Sequence, residues 1–389
     1  MQITVAQRLQ QTEEYYFSKK LREIEELNRA GKQIINLGIG SPDLPPHPEV
    51  ISELCKNAEE STTHAYQSYK GSPVLRQAIA DWYYRYYQVQ LDANSEVLPL
   101  MGSKEGIMHI CMTYLQAGDK VLIPNPGYPT YASAARLSEA TAITYNLSAE
   151  NDWLPDLDEL EDQGLEGVKM MWINYPHMPT GAAATDEFFE KIVAFGKKHN
   201  ILICHDNPYS FILNDKPLSI MSVPGALDVA IELNSLSKSS NMAGWRVGML
   251  VANKERVDEV LRFKSNMDSG MFLPVQLAAA KALSLDESWY ENLNNIYRKR
   301  REKVFQIMNM LQCDYQKDQI GLFVWAKVPD KYKDGYELTD KVLYDANVFI
   351  TPGGIFGDAG SAYIRISLCA TEQRFEEAIA RIQQIEDQL

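Results

Sequence analysis

Hydrophobic and polar positions follow two different periodicities over the middle of the chain. Short apolar or β-branched runs, typical of buried strands, are separated by longer stretches with the three-to-four-residue spacing of amphipathic helices. The predicted strands are Val97–Leu100, Lys120–Ile123, Ala142–Tyr145, Lys169–Ile173, Ile201–His205, Val229–Leu233 and Val247–Val251. Because strands and helices alternate, the pattern predicts an α/β fold with a largely parallel sheet and helices on both faces.

Two helical stretches begin after a residue that favours the N-cap position. Thr185 is the predicted N-cap of a helix over Asp186–His199, and Ser103 is the predicted N-cap of the helix after the first strand. The hydroxyl of such a residue can accept a hydrogen bond from a free backbone N–H of the first turn.

The order of elements changes after about Asp286. A long charged helix through Tyr297–Arg301 is followed by predicted strands at Leu322–Val328 and Tyr363–Ser367 and by a last helix after Thr371. This order predicts a second, smaller domain.

Length, composition and charge narrow the classes of function. A chain of 389 residues with 45% hydrophobic content is long enough for two packed domains. The formal net charge of -14 argues against nucleic acid or an anionic membrane as the partner. The five cysteines are dispersed and lack a C-x-x-C pair, which indicates reduced thiols. Glu13 and Glu14 interrupt the only stretch where a signal peptide would lie, so we expect a cytoplasmic protein without a membrane span.

The most informative segment runs from Ser235 to Gly248. Lys238 is surrounded there by hydroxyl residues and is followed eight residues later by Arg246. A lysine amine forms a Schiff base with an aldehyde, and hydroxyls with an arginine hold a phosphate. The predicted cofactor is therefore pyridoxal 5'-phosphate. Taken alone, Lys238 is more typical of a solvated lysine in a surface loop, and it is the neighbouring residues that favour the cofactor.

This segment resembles the Schiff-base motif of the class I/II aminotransferases, the pyridoxal-phosphate enzymes of fold type I, and the resemblance extends from about Asn36 to Leu368. It implies a large domain with a mostly parallel seven-stranded sheet over residues 47–286. A smaller α+β domain over residues 287–389 would also take in residues 1–46. Within the motif, the resemblance implies that Lys238 is the Schiff-base lysine and catalytic base. Ser235, Ser237 and Arg246 would bind the cofactor at its phosphate end.

Three junctions between a strand and a helix supply further cofactor candidates, because open parallel sheets bind ligands at their carboxyl edge. Ser103 and Lys104 lie at a helix start that resembles the family's phosphate site. By resemblance, Tyr128 stacks on the pyridine ring, Asp206 pairs with the protonated ring nitrogen, and Tyr209 donates to the phenolate oxygen. An ordinary capped helix, a buried tyrosine or an Asx-turn would explain these positions one at a time.

The sequence departs from the family at the Pro-Thr-Gly motif. Family members place an asparagine before this motif, whereas this chain has Met178, which cannot donate a hydrogen bond. Asn174, four residues earlier, is the remaining amide that could contact cofactor or substrate. One fewer donor to the phenolate predicts a raised pKa of the Lys238 Schiff base relative to close relatives.

The resemblance also assigns residues to the substrate and to a second subunit. Arg365 would bind the α-carboxylate of an amino acid, although an edge-strand arginine is an alternative explanation, and the Gly40 backbone would close over the same carboxylate. Tyr66 matches a tyrosine that reaches the phosphate of the other subunit, which implies a homodimer with shared active sites. Other residues in segments that border the substrate in relatives are Tyr16, Lys104, Asn174, Asn266 and Ser269.

The activity that follows is transfer of an amino group between an amino acid and a 2-oxo acid. Lys104 could meet a distal carboxylate, which favours aspartate, glutamate or diaminopimelate as the substrate. A carbon–sulfur β-lyase would use the same residues. A nonenzymatic cofactor-sensing regulator would need a DNA-binding module ahead of Asn36, and a pure binding protein would leave these residues without a purpose. The six histidines show no metal-ligand spacing, so no metal is predicted.

Overall fold

The fold is that of a computed structural model, which describes residues 3–10, 14 and 16–389. Glu13, named above, lies outside the described residues. The strands are β1 (Ile35–Asn36), β2 (Val97–Leu100), β3 (Lys120–Asn125), β4 (Thr141–Asn146), β5 (Val168–Ile173), β6 (Leu202–Asp206), β7 (Ala230–Ser235), β8 (Gly248–Val251), β9 (Phe323–Lys327), β10 (Val348–Phe349), β11 (Thr351–Pro352) and β12 (Tyr363–Ser367).

The helices follow the same chain order. They are α1 (Gln7–Gln10), α2 (Tyr16–Arg29), α3 (Pro48–Ala58), α4 (Pro73–Tyr87), α5 (Ser103–Tyr114), α6 (Thr130–Leu137), α7 (Leu157–Gln163), α8 (Asp186–His199), α9 (Leu236–Ser239), α10 (Lys254–Lys264), α11 (Leu273–Leu283), α12 (Glu287–Met310), α13 (Gly335–Ala346) and α14 (Glu372–Gln383). None of the helices in the described ranges is both long enough and apolar enough to cross a bilayer. The expected cytoplasmic location stays a prediction.

A central sheet carries the large unit of the fold. Within the described residues it has seven strands in the order β2-β8-β7-β6-β5-β3-β4. Strands β3 to β7 pair in parallel, and β8 runs antiparallel to both of its neighbours. Strands β2, β6, β7 and β8 are buried along their whole length, which explains their continuous apolar runs. The predicted α/β class with a mostly parallel sheet is confirmed.

The ends of the elements differ from prediction by a few residues. Strand β3 continues two residues past Ile123, and β6 ends at Asp206, one residue later than predicted. Helix α8 has the predicted bounds, and the Thr185 hydroxyl accepts a hydrogen bond from the Phe188 N–H at 3.1 Å. The prediction that Ser103 is an N-cap is wrong. Gly102 occupies that position with a φ of 95°, a backbone conformation that favours glycine, and Ser103 is the first helical residue.

A smaller unit is built from the C-terminal part of the chain. Its three-stranded antiparallel sheet has the order β11-β12-β9 within the described residues, and α12 packs against α14 beside it. Strand β1 pairs in parallel with β10, with Ile35 opposite Val348. The domain boundaries at residues 46 and 286 stay a prediction, and this pairing supports placing the N-terminal segment with the C-terminal unit.

Candidate active site

A cavity of about 590 Å³ lies where the carboxyl ends of the central strands face the smaller sheet. Its wall contains residues from β6, β7, β9 and β12, from α2, α5, α6 and α9, and from the loop after β5. Twelve of the residues predicted from sequence line it, namely Gly40, Ser103, Lys104, Tyr128, Asn174, Asp206, Tyr209, Ser235, Ser237, Lys238, Arg246 and Arg365. Residues that are up to 325 positions apart in the sequence therefore meet at one site, and their roles there stay predictions.

Four other predicted residues do not line this cavity in the described part of the chain. Tyr66 is 92% exposed and lies on the surface, and Asn266 and Ser269 are exposed as well. Tyr16 is half-buried, and its neighbour Phe17 lines the cavity instead. Sequence reasoning missed further lining residues, which include Phe17, Ser18, Leu21, Ile39, Ser41, Tyr131, Pro208, Ala243, Phe323 and Phe356.

Lys238 lies on the short helix α9 directly after strand β7. The Ser235 hydroxyl caps this helix and accepts a hydrogen bond from the Ser237 N–H at 3.1 Å. The Lys238 amine donates to the Gly40 carbonyl oxygen at 2.6 Å. Burial lowers the pKa of Lys238, and the positive charges of Arg365 and Arg246 act in the same direction. The amine is therefore more available as a nucleophile and base than a solvated lysine.

Positive groups converge at the start of α5. Arg246 has a left-handed φ of 59°, and its guanidinium contacts the Ser237 hydroxyl at 3.5 Å. Gly102 has a φ of 95°, which favours glycine, and a β-carbon there would also lie 2.3 Å from Arg246 Nη2. Burial lowers the pKa of Lys104, and so does the charge of Arg246. The free N–H groups of the first turn of α5 complete a site that suits an anion.

Asp206 ends β6 on the floor of the cavity and is almost fully buried. The Tyr131 hydroxyl donates to its Oδ2 at 2.9 Å, while its Oδ1 is buried without a hydrogen-bond partner. Burial raises the pKa of Asp206 to about 6, and the Tyr131 hydrogen bond and the charge of His205 oppose this rise. Tyr131 itself stacks on Trp172 with ring centroids 5.0 Å apart. The unpartnered oxygen suits a cationic donor such as a protonated ring nitrogen.

The Asn174 side chain makes hydrogen bonds that stabilise the turn after β5. The Asn174 amide donates to the Asp206 carbonyl at 2.6 Å, and its Oδ1 accepts from the Met178 N–H at 2.9 Å. Both polar atoms of this side chain are thus engaged within the protein. Whether Asn174 also contacts cofactor or substrate stays a prediction. Met178 is buried, and its sulfur lies 3.2 Å from Arg365 Nη1.

Arg365 lies in the middle strand of the smaller sheet, so the alternative of an edge-strand arginine is wrong. Its guanidinium stacks on the rings of Phe323 and Phe356, at 3.8 and 4.5 Å from their centroids, and donates to the Gly38 carbonyl at 2.9 Å. A β-carbon on Gly40 would lie 2.3 Å from the Phe323 ring. This packing fixes a planar cation at the cavity wall, which suits a carboxylate.

The chemistry of this set fits pyridoxal phosphate. A buried amine of lowered pKa, an anion site at a helix start and a buried carboxylate with one unpartnered oxygen match the aldehyde, the phosphate and the ring nitrogen of that group. Each match rests on a different part of the cavity wall. The fit therefore does not depend on any single residue.

One further group of potential ligand atoms lies on α5 and in the segment after α10. Across the described ranges, only Glu105, His109 and Asp268 bring three such atoms within 4.8 Å of one another. The Lys264 amine is 2.6 Å from Asp268 Oδ1 and already supplies a cation to this cluster. The absence of a metal stays a prediction.

Comparisons with known proteins bear on the whole chain. The family model described as aminotransferase class I and II matches residues 32–382. LL-diaminopimelate aminotransferase of Oleidesulfovibrio alaskensis is 43% identical over 98% of this chain and 99% of its own length. The enzyme of the same name from Aquifex aeolicus is 40% identical over 95% of this chain and 96% of its own length.

Solved structures with a similar fold cover the same length of chain. Apo-BacF from Bacillus subtilis superposes with a TM-score of 0.95 and 36% identity over 99% of both chains. An aspartate aminotransferase mutant from Thermus thermophilus has a TM-score of 0.91 over 99% of this chain and all of its own, at 22% identity, and supports the fold alone.

Proposed function

Because the chain belongs to the class I and II aminotransferases, we propose that it moves an amino group between LL-diaminopimelate and a 2-oxo acid, with pyridoxal phosphate held at Lys238. The observation that carries the proposal is identity of 43% and 40% to two LL-diaminopimelate aminotransferases, over nearly the full length of each chain. The family is one of pyridoxal-phosphate-dependent transaminases, which supports both the cofactor and the type of reaction.

Three regions of the cavity would hold the cofactor. The Lys238 amine would bind its aldehyde, the first turn of α5 with Ser103, Ser237 and Arg246 would bind its phosphate, and Asp206 would accept a hydrogen bond from the ring nitrogen. When bound, pyridoxal phosphate supplies a carbonyl that exchanges amino groups and a ring that accepts electrons as the Cα–H bond breaks. Tyr128 and Tyr209 line the same cavity and would serve as a ring-stacking residue and a phenol donor.

The protein's own residues would orient the substrate and move one proton. Arg365 would hold the α-carboxylate in the fork of its guanidinium, which fixes the direction of the Cα–H bond. The Lys238 amine, once free, would take the Cα proton and return it at a neighbouring carbon, and its lowered pKa keeps a neutral form available for this step. Phe323 and Phe356 cover the guanidinium and reduce the contact of the bound carboxylate with water.

Two cations that line the same cavity support the proposed substrate class. LL-diaminopimelate carries an amino acid group at each end, so it presents a second carboxylate when the first is bound by Arg365. Lys104 lines the same cavity and would meet this distal carboxylate. A monocarboxylic amino acid such as alanine makes no use of this second cation and would be a poorer donor.

The direct experiment is a screen of the half-reaction in the purified holoenzyme. Each candidate donor is added alone, and conversion of the aldehyde absorbance to the amine form is followed. We expect the highest second-order rate constant with LL-diaminopimelate, lower values with aspartate and glutamate, and the lowest with alanine. A Lys104→Met variant should lose more of its rate with LL-diaminopimelate than with alanine, so the preference for LL-diaminopimelate should shrink.

Two outcomes would contradict the proposal. Equal conversion by all donors would remove the assigned substrate class. Release of pyruvate and ammonia from cystathionine without added oxo acid, at a rate above that of transamination, would instead identify a carbon–sulfur β-lyase that uses the same residues.

We also propose that the working form is a homodimer with shared active sites. Tyr66 is 92% exposed, and Tyr69, Met267 and Phe272 are other large side chains exposed by at least 43%. The ring centroids of His64 and Phe272 are 5.6 Å apart, so the segments around residues 66 and 272 meet on one surface. Apolar surface of this kind is typical of an interface.

A further inference from the structure

His205 lies in β6 next to Asp206 and is completely buried. Its Nδ1 is 2.8 Å from Oε2 of Glu232, which is also completely buried, on the adjacent strand β7. Its Nε2 is 2.8 Å from the carbonyl oxygen of Tyr175. Both ring nitrogens therefore face oxygen atoms at hydrogen-bond distance.

The partners of these nitrogens decide the number of protons on the ring. A backbone carbonyl can only accept a hydrogen bond, so the nitrogen facing Tyr175 must carry a hydrogen. The other nitrogen faces Oε2 of Glu232, which also accepts from the Ser219 hydroxyl and the Ile220 N–H, so the ring nitrogen is placed to donate to it. Two hydrogens on one imidazole make it a cation.

The surroundings of Glu232 are those of an ionised carboxylate. Its Oε1 accepts from the Tyr83 hydroxyl at 2.7 Å, and its Oε2 accepts from the Ser219 hydroxyl at 2.8 Å and from the Ile220 N–H at 3.1 Å. Each of these groups donates a hydrogen, so both carboxylate oxygens of Glu232 serve as acceptors. With a second hydrogen on the His205 ring, the two side chains would form a buried ion pair whose remaining hydrogen-bonding groups are satisfied.

We propose that His205 is a positioning residue, an imidazolium held by Glu232 whose positive charge keeps the adjacent Asp206 ionised to pair with the cofactor ring. This inference rests on the proposed function for the identity of the ring. Its first part, the charge on His205, concerns the protein alone.

The position of His205 explains why a charge is needed there. Burial raises the pKa of Asp206 to about 6 even though the charge of His205 lowers it, so without that charge more of this carboxyl would be protonated near neutral pH. His205 also fixes the Tyr175 carbonyl, and the preceding residue Asn174 donates to the Asp206 carbonyl at 2.6 Å. One side chain thus supplies charge to Asp206 and holds the turn that contacts it.

The groups that face His205 come from several elements. Glu232 is on β7, and Tyr83 reaches this carboxylate from α4. Tyr175 contributes its carbonyl from the turn after β5, and Phe189 of α8 places its ring 5.0 Å from the imidazole. Asp206 is the neighbour along the chain. Glu232 and Asp206 are the negative charges in this group, and Glu232 already has its hydrogen bond to His205.

The charge can be measured in the apoprotein by nitrogen NMR of histidine labelled in the ring. Two other buried histidines of the same chain are internal controls, because burial lowers the pKa of His109 to about 4 and that of His177 to about 3. At pH 8.5 we expect one imidazolium in the spectrum, absent from a His205→Asn variant, while His109 and His177 give neutral rings. A spectrum with six neutral rings at this pH would overturn the proposal.

The role of the charge is tested by cofactor affinity as a function of pH. His205→Asn and His205→Gln each remove the charge, and each amide mimics a different ring nitrogen. Without the charge the pKa of Asp206 rises. As the pH is lowered, both variants should therefore lose affinity for pyridoxal phosphate at a pH about one unit higher than the wild type does.

Unchanged acid midpoints in both variants, or a shift in only one of them, would show that a hydrogen bond rather than the charge matters and would overturn the proposed role. These outcomes are distinct from failure of the proposed function. In that case the wild-type protein would not bind pyridoxal phosphate at any pH, while the NMR result would stand by itself.

Discussion

The sulfur of Met178 lies 3.2 Å from Nη1 of Arg365, so the residue that replaces the family's asparagine contacts the guanidinium proposed to bind the substrate carboxylate. A thioether is a weak acceptor and not a donor. The contact therefore leaves the guanidinium charge available to a substrate carboxylate. The methionine also leaves the cavity with one hydrogen-bond donor fewer than an asparagine would provide.

Met178→Asn should lower the pKa of the Lys238 Schiff base, because the amide restores a donor to the cofactor's phenolate oxygen and so favours the form without the proton. An absorbance titration of the holoenzyme measures this pKa. Met178→Leu is the matched control, since it keeps an apolar side chain of similar size and should titrate like the wild type. Equal midpoints for the asparagine variant and the wild type would contradict the expected role of position 178.

Arg365→Lys should reduce kcat/KM for the amino acid donor by about 30-fold or more, because an ammonium cannot reproduce the two parallel hydrogen bonds of a guanidinium to a carboxylate. Steady-state kinetics measure the effect, and the holoenzyme spectrum checks that the cofactor is still bound. Arg374→Lys, at an exposed position on α14, is the control and should leave kcat/KM unchanged. A wild-type value for Arg365→Lys would place the carboxylate elsewhere in the cavity.

Asp206→Asn should stabilise the apoprotein at high pH while weakening its binding of pyridoxal phosphate. The pKa of Asp206 is about 6 in the folded protein, whereas that of an unperturbed aspartate is 3.8. Ionisation of Asp206 therefore destabilises the folded state as the pH rises from 3.8 to about 6. Below pH 4 the carboxyl is neutral in both states and the substitution should have little effect. At pH 8 the asparagine variant should be more stable by about 2–3 kcal/mol as an upper bound.

Urea unfolding of the two apoproteins at pH 4 and pH 8, at equal protein concentration, measures this difference. A variant that is less stable than the wild type at pH 8 would show that Asp206 is stabilised in its ionised form even without the cofactor.

Tyr66 and Lys238 should complement each other across subunits if the active sites are shared. Subunits with Lys238→Ala and subunits with Tyr66→Ala are refolded together, and the hybrid dimer is isolated with two affinity tags. One of its two sites would have both residues intact, so the hybrid should recover about half of the wild-type activity. Activity equal to the mean of the two parent dimers would contradict a shared active site. Sedimentation of the wild-type protein as a monomer would contradict both the dimer and the shared site.

The sequence predicted the α/β class and the polar residues of the site because both leave local signals. Buried strands leave apolar runs. Asp206 ends strand β6 and Lys238 comes soon after β7, at the sheet edge where ligands bind. The aromatic rings around Arg365 left no such signal, because Phe323 and Phe356 are indistinguishable from core residues until the fold brings them together. The same applies to Tyr131, whose hydrogen bond to Asp206 spans 75 residues.

At position 178 the sequence showed which residue is unusual but not what it contacts. The departure from the family pattern was visible in the sequence, but its contact with Arg365 spans 187 residues and depends on the packing of two sheets. The Ser103 N-cap prediction failed for a local reason, since Gly102 takes the N-cap position with a positive φ that favours glycine.

The account depends most on the covalent bond between Lys238 and the cofactor. Borohydride reduction of the holoenzyme followed by peptide mass spectrometry tests this bond directly. We predict one pyridoxyl group per chain on the peptide that contains Lys238, and none on a Lys238→Ala variant that still binds the cofactor noncovalently and has lost turnover. A label on another lysine, or near-normal turnover of Lys238→Ala, would contradict the account.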